Sequence, residues 1–187
     1  MRELDKLIDE IIQVEGGYSD DPNDSGGKTK YGITEKVARA NGYTGDMRDL
    51  PIDFTRRLYY KRYVVEPGFD KVMLVSPVIA AELVDTGVNM GPATAGKFLQ
   101  TALNAFNQRG TLWPDLVVDG GVGQKTISAL ASHLRKRGER DGVRVLLVAL
   151  NALQGARYIE LSQMGEHKNE DFVFGWMLNR VTNQVVV

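Results

Sequence analysis

Residues 15–34 read EGGYSDDPNDSGGKTKYGIT, and the fold turns on how this stretch meets what precedes it. Upstream, Leu4, Leu7, Ile8, Ile11 and Ile12 recur at i, i+3, i+4, i+7 and i+8, the period of a helix with one apolar face. Gly16-Gly17 stops that helix, which leaves Glu15 in or just after its last turn. From Tyr18 to Ile33 the helical period is gone. Asp21-Pro22-Asn23-Asp24-Ser25-Gly26-Gly27 is a dense turn cluster, and flanks such as Lys28-Thr29-Lys30-Tyr31 have the length of short strands. The stretch predicts a helix, then a small irregular β-hairpin, with a lone glutamate at the joint.

Outward from there the chain is mostly helical. Thr34 with Glu35 starts a helix that runs to Asn41-Gly42, and Pro51 to Tyr63 forms another, closed by Pro67-Gly68. Pro77 to Val88 is strongly apolar and ends at Asn89-Met90-Gly91-Pro92, a candidate seam between domains. Further helices are predicted over Ala93–Gln108, Thr126–Arg137, Val143–Met164 and Glu170–Val181, with a turn cluster at Val118–Gly123. The expected fold class is mostly α with one small hairpin.

Bulk composition narrows the function. The 187 residues carry 43% hydrophobic side chains, enough for a core, and a net charge of −1. That balance argues against a nucleic-acid-wrapping protein, which needs a basic surplus. There is no cysteine, so disulfides, thiolate nucleophiles and cysteine-ligated zinc are excluded. The N-terminus lacks the continuous apolar core of a signal peptide, and no run approaches the roughly 20 apolar residues of a membrane span.

Three chemistries compete for residues 15–34. A phosphate loop would need a glycine five residues before Gly27, where Pro22 stands. A calcium loop would need alternating donors and a closing glutamate, whereas Pro22 interrupts Asp20, Asp21, Asn23 and Asp24, and Glu35 lies too far on. A carboxylate pair fits better. Glycosidic cleavage needs one carboxylic acid to protonate the leaving oxygen and a second carboxylate to activate water or attack the sugar. The negative end of the helix dipole disfavours an ionised Glu15, and an aspartate on a solvated hairpin would stay ionised. On spacing alone, the favoured reading of Glu15 is an ordinary solvated glutamate at a helix end.

Glu15-Gly16-Gly17-Tyr18, then Pro22, Asp24, Gly26-Gly27, Thr29 and Gly32-Ile33-Thr34, resemble the signature of glycoside hydrolase family 108, the N-acetylmuramidases of phages and bacteria. The order Glu, Asp, Thr also resembles phage-type lysozymes, where the Thr usually lies one residue further along. Downstream, Asp85–Pro92 is similar to the family's second block, and Leu99–Leu103, Val118–Gly120, Gly123 and Thr126 resemble a peptidoglycan-binding segment. Phe174-Gly175-Trp176 with Asn179-Arg180 resembles the family's ending.

The resemblance implies a lysozyme-like catalytic part over residues 1–91, its hairpin forming one lip of a groove, and a helical peptidoglycan-binding-like part over 92–187. It implies hydrolysis of the β-1,4 bond between N-acetylmuramic acid and N-acetylglucosamine. Glu15 would be the acid, Asp24 the second carboxylate, with Asp20 and Asp21 as competitors, and Thr29 the holder of the attacking water. Tyr18 and Tyr31 would offer ring faces to sugars, or pack into the core. Asn89 would reach an acetamido group, or cap its helix. Trp176 reads as core. His133 and His167 read as surface residues, and Arg135-Lys136-Arg137 with Arg140 as a solvated helix end or an attractor of the acidic wall. Val118–Gly123 reads as a tight turn or as a presenter of backbone groups to a wall peptide or sugar.

No metal or organic cofactor is required. The expected partner of this monomer is the peptidoglycan glycan strand, with no nucleic acid. Cytoplasmic synthesis without a signal peptide and holin-type release to the wall fit an endolysin. Inversion is the expected outcome, decided by whether the carboxylates stand roughly 6.5–9.5 Å or about 5–5.5 Å apart. Two rivals stay open: a wall-binding or regulatory protein without catalysis, and a lytic transglycosylase.

Overall fold

A computed structural model describes residues 2–20, 27–164 and 169–181, apart from the side chains of Arg2, Glu3, Val14 and Glu15. Asp21, Asp24 and His167 lie outside the described residues. The chain divides into two compact units, residues 1–66 and 67–187.

The first unit opens with α1 (Arg2–Glu15). Its stripe of Leu4, Ile8, Ile11 and Ile12 is buried, and the helix packs on α3 (Ile52–Tyr60). Arg56 on α3 makes a two-pronged contact with Asp9 on α1, Nε to Oδ1 at 2.6 Å and Nη2 to Oδ2 at 3.1 Å. Half-exposed as it is, that pair is screened by solvent and adds little. The apolar stripe dominates the packing.

After α1 comes a three-stranded antiparallel sheet, one strand more than the expected hairpin: β1 (Tyr18–Ser19), β2 (Thr29–Lys30) and β3 (Ile33–Thr34). Tyr18 faces Lys30 and Ser19 faces Thr29, while Thr29 and Lys30 face Thr34 and Ile33. The third strand exists because Tyr31 and Gly32 both take positive φ, 52° and 71°. Positive φ at both central residues is the two-residue hairpin turn whose twist matches its strands. Thr34 then caps α2 (Glu35–Ala40), its Oγ1 accepting from Val37 N at 3.3 Å. A 3₁₀ turn, Met47–Asp49, precedes α3, and a π turn, Lys61–Val65, follows it.

The second unit is wholly helical among its described residues: α4 (Phe69–Met73), α5 (Pro77–Met90), α6 (Pro92–Phe106), α7 (Gln124–Arg137), α8 (Glu139–Gln163) and α9 (Glu170–Trp176), the last continued by a π turn, Met177–Val181. Ser76 caps α5 with Pro77 at its first position. The α6–α7 connection lies against α6 because both sides are glycine there. A Cβ on Gly96 would meet Gly120 O at 2.1 Å, and one on Gly120 would meet Ala93 O at 2.5 Å. Buried Gln100 holds the turn, donating to Asp119 Oδ1 (2.9 Å) and Gly121 O (3.0 Å) and accepting from Gly120 N (2.8 Å). These backbone groups are engaged within the protein, so the tight-turn reading of Val118–Gly123 is the one the structure supports.

His133 corrects the sequence reading. It is 1% exposed, its Nε2 sits 3.0 Å from Gly142 O, and its ring lies between Phe106 and Trp113, with centroids at 5.5 and 5.9 Å. Desolvation lowers its pKa. Its place among Ala129, Leu130 and Leu134 on the apolar face of α7 required this burial.

Candidate active site

Glu15 is the last residue of α1. Gly16, at φ 78°, turns the chain toward β1, so the sheet begins three residues beyond Glu15.

Tyr18 and its neighbours form a polar, cation-rimmed surface on that sheet. The Tyr18 hydroxyl donates to Asp20 Oδ2 at 3.1 Å, and the Arg48 guanidinium lies 5.3 Å from its ring centroid. Desolvation, followed by the Asp20 carboxylate, raises the Tyr18 phenol above its ordinary pKa. Lys30 Nζ donates to the Arg48 carbonyl, tying β2 to the 3₁₀ turn. Asp46 caps that turn by accepting from Arg48 N at 2.8 Å. That backbone hydrogen bond, aided by the charges of Arg48, Lys28 and Arg39, holds its carboxyl below the ordinary range. The sequence reading missed Arg48 and Asp46. Their one signal is an aspartate placed to cap a short turn, which is common in any loop.

Thr29 sits mid-sheet, half-buried, with Oγ1 donating to Gly27 O at 3.1 Å. Tyr31 is the left-handed residue of the β2–β3 turn, its carbonyl accepting from Tyr59 OH at 3.1 Å and its ring 5.1 Å from Lys30 Nζ. The structure therefore brings Tyr18, Thr29 and Tyr31 onto one small sheet that begins just past the end of α1. Asn89 belongs to the other unit. It is exposed in the last turn of α5, and its Nδ2 donates to Asp85 O at 2.7 Å; the helix is capped by Gly91, not by Asn89. Trp176 is half-buried beside Tyr158 and Phe172, at 5.2 and 6.1 Å.

Residues 8–91 match the family model Glycosyl hydrolase 108, and residues 94–181 match Predicted Peptidoglycan domain. The chain carries a glycosyl hydrolase 108 domain. It is a glycoside hydrolase of the peptidoglycan-degrading kind, joined to a peptidoglycan domain. Among solved structures it is similar to that of Brucella abortus SagA, at 24% identity and a TM-score of 0.60 over 95% of this chain and 88% of that one. This likeness establishes the mostly helical, lysozyme-like fold. No curated protein matches the chain significantly. The glycosyl hydrolase 108 match runs on through α4 and α5, which pack within the unit that begins at Pro67. Among the described residues no helix is long and apolar enough to cross a membrane.

Proposed function

We propose that this glycosyl hydrolase 108 protein is an N-acetylmuramidase. It hydrolyses the β-1,4 bond between N-acetylmuramic acid and N-acetylglucosamine, acting as a monomer on the glycan strand in the manner of an endolysin released through a holin-type hole. One observation carries the reading: Glu15 ends a helix whose apolar face is sealed, and a polar three-stranded sheet starts three residues later. A protonated carboxyl at that helix end donates to the bridging oxygen as the bond breaks. Asp24 serves as the second carboxylate, activating water or balancing the positive charge that builds on the sugar ring. Thr29 holds the water, and Tyr18 and Tyr31 offer ring faces to the sugars.

Digestion of purified sacculi followed by product mass analysis tests this. New reducing ends at N-acetylmuramic acid are the expected products. Reducing ends at N-acetylglucosamine, or anhydro-muramic ends, would overturn the bond assignment or the hydrolytic mechanism.

A further inference from the structure

We propose that the α7–α8 corner is a binding site for the peptide stem of peptidoglycan, with Arg135 taking a carboxylate and Glu139 an amine. The proposal rests on the peptidoglycan reading above and gives the second module a defined ligand.

Three observations converge at this corner. The first is a shallow depression of about 490 Å³ lined by Val75, Ala131, Leu134, Arg135, Gly138 and Glu139, within the size range of small-ligand sites. Its floor is small and apolar, and beside it Leu74 is 88% exposed. Its rim carries one cation and one anion, both exposed.

The second is charge. Residues 135–144, RKRGERDGVR, hold five basic and two acidic side chains in a chain whose net charge is −1. A local surplus of this kind draws acidic ligands to that face.

The third is rigidity. Leu134 Cδ2 lies 3.1 Å from where a Cβ on Gly142 would stand, and His133 Nε2 lies 3.0 Å from Gly142 O. The two helices are therefore locked at their junction. Arg135 Nη2 donates to Ser132 Oγ at 3.1 Å, which steadies the guanidinium and leaves most of its five donors for a ligand.

A wall stem peptide has matching chemistry. It is short, its alanine side chains are single methyls suited to the floor of Val75, Ala131 and Leu134, and it ends in a carboxylate. Its diamino acid carries a free ammonium that Glu139 would accept. Arginine grips carboxylates with two parallel hydrogen bonds, so the carboxylate fixes the register and the methyls fill the floor. A bare glycan strand also carries methyls and lactyl carboxylates, but it has no ammonium for Glu139 to accept, so only the stem peptide satisfies both ends of the depression.

The test uses the full chain and the synthetic tetrapeptide L-Ala-γ-D-Glu-meso-diaminopimelate-D-Ala. Calorimetry measures affinity, and backbone amide shifts locate the site. Binding that moves the amides of Ala131, Leu134 and Gly138 is expected. Arg135→Gln should weaken it about tenfold or more. Amidating the terminal carboxylate should weaken the wild type by a similar factor and add little further loss in Arg135→Gln. Arg157→Gln, at a half-buried position further along α8, should bind as the wild type does. No binding by the wild type, shifts elsewhere, or equal loss on amidation in both proteins would overturn the proposal. The same preparations are assayed for muropeptide release from sacculi. Release without peptide binding overturns this site and spares the muramidase reading; peptide binding without release does the reverse.

Discussion

The two units handle their acids in opposite ways. Beside the sheet of the first unit, Asp20 and Asp46 are exposed, and Asp46 is kept ionised by a backbone N–H. In the second unit Glu82 is 1% exposed. Burial first, then the charge of Asp85, pushes its carboxyl up to about 7, with the Thr86 hydroxyl opposing. Asp85, also buried, is paired with Arg180. By acidity alone Glu82 resembles a general acid poised for neutral pH. Yet it is sealed within the helical unit, where no sugar oxygen can reach it. A proton held at neutral pH makes a catalyst only where substrate can approach, and burial denies Glu82 that approach; the proposed acid is therefore Glu15, at the end of α1.

The contrast breaks most directly on paired variants. Glu15→Gln should cut wall lysis by roughly 10²–10⁴-fold, the usual worth of a positioned general acid, while Glu82→Gln should leave it nearly unchanged. If turbidity clearance of sacculi ranks the two the other way, the comparison is inverted.

Arg180→Ala removes the cation from a buried carboxylate and should destabilise the second unit by about 3 kcal/mol. Both tryptophans, Trp113 and Trp176, belong to that unit, so denaturant titration followed by tryptophan fluorescence reads it separately.

Glu82→Gln sharpens the comparison through pH. The folded carboxyl is raised from 4.5 to about 7, so the folded state holds a proton that the unfolded chain has lost. Stability from this group is full below about pH 4.5 and falls as pH rises toward 7, by up to roughly 3 kcal/mol. Glutamine should flatten that slope in the fluorescence-monitored titration. His133 works in the other direction. Its pKa is lowered by burial, so its contribution is present above its unfolded value and lost as pH falls. A slope unaltered in Glu82→Gln would contradict the buried-acid account. The smallest effect is expected for Arg48→Gln, which removes a cation from the face of Tyr18; a small rise in KM with kcat nearly constant should be seen.

Much of the architecture was legible because periodicity is strong. The α1 stripe, the Gly16-Gly17 stop, the helix start at Thr34-Glu35 and the Pro77 start of α5 each follow from side-chain chemistry and were found where the sequence puts them. The third strand was hidden because a Tyr-Gly turn asks a bulky residue to take positive φ, which residue preferences discourage. Glu82 and Asp85 were passed over for an avoidable reason. The sequence from Pro77 to Val88 is apolar on every side, the mark of a helix sealed in a core, so its acids had to be buried too. His133 carried the same kind of signal. Of the candidate site, the sequence proposes Glu15, Tyr18, Thr29 and Tyr31, and the structure places the last three on or beside one small sheet. Asp24 lies outside the described residues, and a linear sequence cannot supply the carboxylate separation that sets the stereochemistry.

The central claim is that Glu15 donates the proton, and a leaving-group test addresses it most directly. Glu15→Gln is assayed on sacculi and on a wall disaccharide bearing a 2,4-dinitrophenyl leaving group, which departs without protonation. The account predicts that lysis of sacculi is lost while the activated glycoside is cleaved at close to the wild-type rate. Equal loss on both substrates, or retained lysis of sacculi, would contradict it.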